Sequence, residues 1–243
     1  MKKSYELKMH NLEENYWWFR GRRDMILRLT ESMPKDAKIL DVGCSGGLLL
    51  EELKNRGFLN LFGIDISQDA LDVCRTKRIA NVKLADAKDT GFEDNYFDIV
   101  LASDVLEHVA EQEKTISEWR RILKKGGKLI VFVPAFGFLW SNHDEINLHQ
   151  KRYSKKQLNE LLRGGGFEPE KSSYWNFPLF FPVGLVRILQ KLFVEKSQAK
   201  DQLWRVNPLF NGILLNLIKA ENKLIAANIK MPVGLSVFCL AKK

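Results

Sequence analysis

The residues best suited to chemistry in this sequence are an aspartate and the glycine-rich turn that follows it. In the stretch KILDVGCSGGLLLEEL an apolar run leads to Asp41, and the turn contains Gly43, Cys44, Ser45 and Gly46. Glycines after a first strand let the backbone approach a ligand and open a helix N-terminus, where amide groups point outward. The turn is therefore a candidate ligand-binding site that offers backbone donors and a carboxylate together.

The position of Asp41 restricts the ligand that this turn can accept. A dinucleotide-binding turn has the spacing G-x-G-x-x-G and binds a pyrophosphate, whereas the glycines here are out of that register. A carboxylate just before the first glycine would also repel a pyrophosphate. S-adenosylmethionine (SAM) carries an ammonium and a sulfonium and no phosphate, so Asp41 can contact its cationic end directly or through water. We therefore expect SAM rather than a dinucleotide.

Two further acids follow the next predicted strands. Asp65 ends the run LFGIDI and can accept both ribose hydroxyls of a nucleoside, while the neighbouring Ile66 can lie on the adenine face. Asp86 in LADA can accept from the adenine amino group, and Ala87 offers a backbone N–H to a ring nitrogen. Because open α/β sheets bind ligands at the carboxyl ends of their strands, the acids predict one nucleoside site. Aspartates that only cap helices are the alternative interpretation.

The elements that must position these residues alternate between strands and helices. Apolar runs typical of strands buried on both faces occupy residues 38–43, 61–66, 82–87, 97–103, 128–134 and 235–241. Segments with helical spacing lie between the first five runs, several of them ending at glycine. This rhythm predicts βαβ units in a doubly wound α/β sheet with helices on both faces.

Five motifs of this core resemble those of the class I SAM-dependent methyltransferases, in the type 11/12-like group: ILDVGCSGG, LFGIDIS, LADA, FDIVLASDVLEHV and ILKKGGKLIVFVP. The resemblance covers about residues 36–135 and implies a Rossmann-like sheet of seven mostly parallel strands, SAM as cofactor and methyl transfer as reaction. In that family the end of the fourth strand flanks the methionine part, which here means Ser103 and Asp104. Ser45 stands where the family has its second loop glycine, and His108 is interpreted as the polar start of a helix.

The flanks EENYWWFRGRRDMI and WSNHDEINLHQKRYSKKQLNELLRGGGF are similar to a bacterial and archaeal methyltransferase subgroup of undefined substrate. The membrane-bound quinone O-methyltransferases are another similar group. In this fold a helix before the first strand can lie over the cofactor. We expect Trp18 to exclude water there and Arg20 to pair with the methionine carboxylate. Packing of this helix on the sheet, with its arginines at the surface, is the alternative.

The stretch after the fifth predicted strand, LWSNHDEINLHQKRYS, contains candidate groups for the methyl acceptor. His143 with Asp144, or His149, can remove a proton from an alcohol or phenol near neutral pH. Arg152 and Tyr153 can hold an anionic or polar group of the substrate. A metal site on the two histidines and Asp144 is a weaker alternative, because their spacing matches no strong metal signature. No metal is therefore expected, and a purely structural role of these side chains is a further alternative.

The net charge of +8 is concentrated in two appendages. Lys and Arg exceed Asp and Glu by three in residues 1–30 and by five in residues 174–234, so the rest of the chain is neutral. This distribution favours an anionic surface as partner, with a merely solvated surface as the alternative. The predicted units are an N-terminal helical cap (1–35), a SAM-binding core (36–173), an apolar helical insertion (174–234) and a last core strand (235–243).

The insertion has an apolar stripe with lysines beside it. Its apolar segments are shorter than the ~20 residues that a membrane-spanning helix needs. We therefore expect the stripe to contact a membrane interface, to roof the active site or to form a dimer face. The stripe consists of Phe210, Ile213, Leu214, Leu217 and Leu224, and the lysines are Lys219, Lys223 and Lys230.

Together these features predict O-methylation of an apolar or lipid-linked small molecule by direct displacement. One alternative is a non-catalytic, membrane-associated protein of the same fold. Another is RNA methylation, which is disfavoured because ASDVLE, and no NPPY-type motif, follows the fourth strand, so no nucleic-acid partner is expected. Three cysteines without paired spacing and a start without an apolar leader predict a cytoplasmic location. The cationic, apolar insertion favours a peripheral position at the membrane. The sequence leaves the oligomeric state open.

Overall fold

The computed structural model describes residues 12–193 and 206–243, which form a seven-stranded sheet and its connecting helices. Parts of the predicted cap (1–11) and insertion (194–205) lie outside the described residues. The strands are β1 (Lys38–Val42), β2 (Asn60–Asp65), β3 (Val82–Leu84), β4 (Phe97–Ser103), β5 (Leu123–Pro134), β6 (Glu168–Trp175) and β7 (Ser236–Lys242). The helices are α1 (Trp17–Leu29), α2 (Leu48–Asn55), α3 (Gln68–Thr76), α4 (Gln112–Ile122), α5 (Asn142–Ile146), α6 (Lys155–Gly164), α7 (Phe180–Phe193) and α8 (Pro208–Ala226). Short 3₁₀ turns lie at Leu106–His108 and Gly137–Leu139.

The strand order of the sheet is β3-β2-β1-β4-β5-β7-β6. The first five strands pair in parallel, and β7 runs antiparallel to both β5 and β6. The connections change direction between β1 and β4, so the carboxyl ends of β1, β2 and β4 meet at a topological switch point, where such sheets bind ligands. The predicted doubly wound, mostly parallel α/β fold is confirmed.

The strands differ from the predicted runs by more than one residue at three places. β3 ends at Leu84 because the chain then turns back, with Asp86 and Asp89 in an isolated bridge. β5 begins at Leu123, well before the predicted residue 128. β6 was absent from the predicted apolar runs, since its sequence EPEKSSYW starts with polar residues, as suits a strand at the edge of the sheet.

Helices α1 and α8 pack closely on each other and on the end of β6. A Cβ at Gly21 of α1 would lie 2.6 Å from Cγ2 of Ile218 on α8, so glycine permits this approach. The side chain of Asn222 joins the three elements: it accepts from Nε1 of Trp175 at 2.8 Å and donates to the carbonyl of Gly21 at 2.9 Å. This packing fixes which face of α1 is turned toward the sheet.

The predicted apolar stripe of the insertion is largely exposed. Phe210 is 61% exposed and Ile213 is 53% exposed, whereas the packed face of α8 carries Leu215, Ile218 and Ile225. The polar Glu221 and Asn222 are buried on that same packed face. In the part of the chain that the structure describes, every helix is too short or too polar to cross a membrane.

Candidate functional site

The glycine-rich turn between β1 and α2 is held tightly between neighbouring strands. The amides of Gly43 and Cys44 both donate to the carbonyl of Ile64 on β2, at 2.8 and 3.0 Å. Gly43 has φ +71°, and a Cβ there would lie 2.7 Å from Cγ2 of Val105, which follows β4. Gly46 is buried, and the half-buried Ser45 has φ +47°. The turn therefore presents backbone at the switch point and has no room for a side chain at Gly43.

Cys44 contributes its backbone rather than its thiol to this turn. Its side chain is buried against the position of Gly63, where a Cβ would lie 2.8 Å from Sγ. A hydrogen bond with Cys74, together with burial, raises the pKa of the Cys44 thiol far above its usual range. The thiol is therefore protonated and is not a nucleophile.

Three carboxylates gather around the turn. Asp41 is only 4% exposed, and burial, followed by the charges near it, raises its pKa well above the usual value. Asp65 accepts from the amides of Ser45 at 3.0 Å and Ser67 at 2.9 Å. The carboxylate of Glu13 accepts from the hydroxyl of Ser45 at 2.9 Å. A cationic ligand would offset the mutual repulsion of these groups, whereas a phosphate would add to it.

The other predicted nucleoside contacts lie along the carboxyl edge of β2 and β3. Ile66 follows Asp65 directly and is 78% exposed, so an apolar side chain stands open beside the switch point. Asp86 is exposed, and its carboxylate accepts from the amide of Lys88 at 3.0 Å. Ala87 is buried, and its carbonyl accepts from Nε1 of Trp119 at 3.0 Å. The loop after β3 is thus anchored to α4 while the side chain of Asp86 stays accessible.

A buried arginine closes the end of β4. Arg22 of α1 is 3% exposed, and its Nη1 donates to Asp104 Oδ2 at 2.7 Å and to Ser103 Oγ at 3.2 Å. Its Nη2 donates to Ser236 Oγ on β7 at 3.0 Å. The guanidinium also lies 4.5 Å from the ring centroid of Trp175. Arg22 therefore holds the two residues predicted to flank the methionine part of the cofactor.

The prediction for Arg20 is corrected by the structure. Arg20 is exposed and lies near Glu52 and Lys219 at the surface of α1, away from β4. Residues two positions apart in a helix point in directions about 200° apart around its axis. Arg22 therefore faces the sheet when Arg20 faces solvent. Trp18 is half-buried, with its ring edge-on to Trp175 at 5.0 Å, and it lies beside Arg22.

Asp144 is the centre of a buried network after β5. Its carboxylate accepts from His149 Nδ1 at 2.9 Å, from Arg152 Nε at 2.7 Å and Nη2 at 3.0 Å, and from the amide of Ser141 at 2.8 Å. Burial alone would raise the pKa of Asp144, but the bonds from His149 and Arg152 outweigh it and hold that pKa well below its usual range. Asp144 is therefore ionised and fixes the orientation of the His149 ring.

The structure also corrects the predictions for Arg152 and Tyr153. The guanidinium of Arg152 is 4% exposed and donates to Asp144 and to the carbonyl of Ala135. Tyr153 has no exposed surface, and its hydroxyl donates to the carbonyl of Leu106 at 3.4 Å. Both side chains support the loop after β5 from inside, where a substrate group cannot reach them.

Two residues next to this network were not predicted as site residues. Glu107 is 1% exposed in the 3₁₀ turn after β4, and its Oε2 has no hydrogen-bond partner among the described residues. Burial, then the charge of Asp104, raises the pKa of Glu107 well above its usual value. The ring centroid of His108 lies 4.7 Å from that of His149. The sequence signal that could have identified them is a Glu-His pair directly after the fourth strand, at the switch point of the sheet.

Two histidines of this region, His108 and His143, are held neutral by their surroundings. His108 is exposed as a residue, but loss of water around its ring, and then the neighbouring His149, lowers the pKa of His108 to about 4. Burial also lowers the pKa of His143 to about 4, and its ring lies 6.0 Å from that of His149 at a right angle. The side chain of Asn147 contacts the His143 ring at 3.2 Å. At neutral pH the imidazoles of His108 and His143 are therefore uncharged and each carries one lone pair.

Comparison with known proteins agrees with this geometry. The model of the methyltransferase domain family matches residues 40–131. The sequence is 31% identical over 128 residues to a tRNA (carboxymethyluridine(34)-5-O)-methyltransferase alkbh8 from Xenopus tropicalis. The aligned region covers 51% of this chain and 19% of that relative. It is also 35% identical to a ubiquinone biosynthesis O-methyltransferase from Bartonella tribocorum, and that aligned region covers 44% of this chain and 45% of the relative. The chain thus spans less than half the length of either relative.

A solved structure extends the likeness to the whole fold. A SAM-dependent methyltransferase from Archaeoglobus fulgidus superimposes with a TM-score of 0.62 at 20% identity, covering 97% of this chain and 99% of that one. The fold is that of the class I SAM-dependent methyltransferases. Within this class, residues 40–131 form a methyltransferase domain.

The residues of the site fit SAM as the cofactor. Backbone approaches the switch point at Gly43, where a Cβ would collide with Val105. The buried Asp41 lies beside this turn, and the exposed Ile66 follows Asp65 at the tip of the next strand. These groups would hold the cationic amino-acid part and the nucleoside part, respectively.

Proposed function

We propose that this protein is a SAM-dependent O-methyltransferase whose acceptor is an apolar or lipid-linked small molecule. The observation that carries the proposal is the position of two groups of residues at one end of the sheet. The turn at Gly43 and Asp41 lies at the tip of β1, and the buried Glu107 and the exposed His108 follow the tip of the adjacent β4. A cofactor site and a cluster suited to proton removal therefore share one crevice.

The residues at this crevice have separable tasks. When bound, SAM supplies a methyl group on a sulfur that leaves as a neutral thioether. A positive charge on the ligand next to the turn would relieve the repulsion from Asp65 and Glu13 that helps to raise the pKa of Asp41. Arg22 keeps Ser103 and Asp104 in fixed positions, which favours alignment of the reacting groups. An alcohol or phenol must lose a proton when it is methylated, and the neighbouring Glu107, His108 and His149 form the cluster at which this loss is assisted.

The apolar character of the acceptor is supported by the surface around α7. Phe180, the first residue of this helix, lies 5.6 Å from Phe136 and 6.2 Å from Phe138 between ring centroids, in the loop after β5. Arg187 of α7 donates to the carbonyl of Leu139 in the same loop. The helix thus adjoins the loop that carries Asp144 and His149. Its outer side exposes Phe181, Leu185, Val186, Ile188 and Leu189.

A second exposed apolar surface on α8 supports contact with a lipid interface. Leu209 is 71% exposed and Phe210 is 61% exposed, and Lys219 and Lys223 occupy later turns of the same helix. Contiguous apolar surface of this kind is uncommon on monomeric soluble proteins. Apolar side chains with lysines nearby suit the boundary of an anionic membrane. A peripheral position at the cytoplasmic face of a membrane is therefore part of the proposal.

Calorimetric titration with SAM tests the cofactor half of the proposal. Asp65→Ala should weaken SAM binding about a hundred-fold or more, because two charge-assisted hydrogen bonds are lost. Asp72→Ala is the matched control, since Asp72 lies on the adjacent α3 with a side chain that is 59% exposed. The control should bind SAM like the wild type. A folded Asp65→Ala protein with wild-type affinity would contradict the assignment.

Transfer of labelled methyl groups tests the acceptor half. The protein is incubated with methyl-labelled SAM and cell extract, which is then separated into lipids, small water-soluble molecules and RNA. Label in the lipid fraction supports the proposal, and label only in small water-soluble molecules rules out the lipid-linked acceptor. Label in RNA would favour RNA methylation instead. The RNA fraction is included because one relative of this chain is a tRNA methyltransferase. SAM binding without transfer to any fraction would favour the non-catalytic scaffold.

A further inference from the structure

We propose that Glu107, His108 and His149 form a binding site for a divalent transition-metal ion, with zinc as the best match. One ligand atom from each side chain lies within 4.8 Å of the other two. Two imidazoles and a carboxylate are a common donor set for zinc with an open coordination position. This site differs from the weaker sequence-based alternative on His143, Asp144 and His149, because Asp144 is engaged in orienting His149.

The spacing of the ligand atoms requires only a small contraction. Four ligands at ~2.1 Å from a tetrahedral zinc ion lie ~3.4 Å from one another, compared with the upper limit of 4.8 Å between the present atoms. The required contraction is therefore at most ~1.4 Å between any two of these atoms. The 3₁₀ turn and the loop are already joined, because the amide of Gln150 donates to the carbonyl of Glu107 at 2.6 Å.

Both imidazoles already have the outer partners that a metal-binding histidine uses. Nδ1 of His149 is bonded to the buried Asp144, which leaves Nε2 for a metal. Asp144 is in turn held by Arg152 on two hydrogen bonds. The ring of His108 is bonded to the backbone of Asn147. A carboxylate or carbonyl behind each ligand fixes the tautomer and the ring orientation.

The carboxylate of Glu107 provides the independent evidence for a ligand. Glu107 is 1% exposed, and among the described residues no donor reaches its Oε2. Buried carboxylate oxygens normally have a partner, so an unpaired one next to two imidazole rings needs an explanation. The same carboxylate belongs to the group whose atoms lie within 4.8 Å of one another. A bound cation satisfies it.

The metal also gives the cluster a chemical task, and this part rests on the proposed function. An acceptor hydroxyl that occupies the open position has its pKa lowered by the metal. Its O–H bond then breaks and the proton passes to water. The new O–C bond forms as the S–CH₃ bond of the cofactor breaks, and the electron pair of that bond stays on sulfur. His149 acts here as a ligand, so it is not itself the proton acceptor.

Titration with Co²⁺ tests the site without reference to activity. Tag-free protein is freed of metal with a chelator and titrated with CoCl₂, and the visible absorption bands of four-coordinate cobalt are recorded. The wild type should bind one Co²⁺ per chain. Glu107→Gln and His149→Gln should each weaken binding at least ten-fold, while His143→Ala should leave the spectrum unchanged and serves as the control.

A separate measurement distinguishes this proposal from the proposed function. SAM affinity is measured by calorimetry on the same variants, and it should stay within a few-fold of wild type if the proteins are folded. Wild-type protein that gives no cobalt spectrum, or Glu107→Gln protein that gives the wild-type spectrum and affinity, would overturn the metal site. If the wild-type protein does not bind SAM, the proposed function is overturned, whereas the cobalt result stays valid. If His149→Gln does not fold, Glu107→Gln and His108→Gln decide the question.

Discussion

Replacing Arg22 by methionine isolates the contribution of the buried guanidinium at the end of β4. Methionine keeps the length of the stem and packs against the rings of Trp175 and Phe132. The lost interactions are the hydrogen bonds to Asp104, Ser103 and Ser236. We count about 1 kcal/mol for each hydroxyl partner and a little more for the carboxylate, so the folded state loses about 3 kcal/mol.

The ion pair with Asp104 contributes less than a fully buried one would. The side chain of Asp104 is 38% exposed whereas that of Arg22 is 4% exposed. After the substitution Asp104 can therefore be hydrated, and the penalty of about 3–5 kcal/mol for an uncompensated buried charge does not apply. SAM affinity should also fall about ten-fold, because Ser103 and Asp104 lose the group that holds them.

Urea unfolding and SAM calorimetry check both expectations, with Arg20→Met as the matched control. Arg20 lies on the same helix and is exposed, so this control should change stability by less than about 0.5 kcal/mol and leave SAM affinity unchanged. An Arg22→Met protein within 1 kcal/mol of wild type would refute the assigned role of the hydrogen bonds. If Arg20→Met is the variant that weakens SAM binding, Arg20 rather than Arg22 acts at the cofactor site.

Three further outcomes are expected. Gly43→Ala should weaken SAM binding at least ten-fold, because alanine at φ +71° would bring a Cβ to 2.7 Å from Val105, and Val105→Ala in the same protein should restore part of the affinity in the calorimeter. Burial raises the pKa of Glu221 to about 7 from 4.5, so its protonated form favours folding below pH 4.5 and this contribution is lost as the pH rises through 7. The free energy of unfolding of Glu221→Gln should therefore rise by about 3 kcal/mol relative to that of the wild type between pH 4.5 and pH 8. Urea unfolding at several pH values measures this, and the same pH dependence for both proteins would contradict it. Phe181→Gln with Leu185→Gln should reduce sedimentation with anionic vesicles without changing SAM affinity, and unchanged sedimentation would exclude α7 from membrane contact.

Much of the cofactor half was predictable from the sequence because its signals are local. Strand-like runs end at Asp41 and Asp65, and in the parallel sheet these residues lie at neighbouring strand tips. Consecutive strands of such sheets place their carboxyl ends together whatever the details of the helices. The glycines of the turn likewise report a backbone conformation, which depends on nearby residues. The positions of these groups therefore follow from the strand order alone.

Which face of helix α1 packs against the sheet could not be predicted in the same way. The sequence YWWFRGRR offers three arginines, and only the packing of α1 on α8 decides that Arg22 points at β4. That packing depends on Gly21 and Ile218, which are almost two hundred residues apart in the chain. Arg152 and Tyr153 show the same effect, because the loop after β5 folds inward and buries side chains that look like surface groups in the sequence.

The extent of the family match explains where the function has to be tested. The family match ends at residue 131, so it contains the turn at Gly43 and the pair Glu107 and His108, but neither Asp144 nor His149. The ligand set proposed for the metal thus takes one histidine from the loop after β5, outside that match. This loop also carries α7 through the contacts of Phe180 and Arg187. Any change of the loop would therefore alter the metal site and the apolar surface together, while the cofactor site, built from β1, β2 and β4, would remain intact.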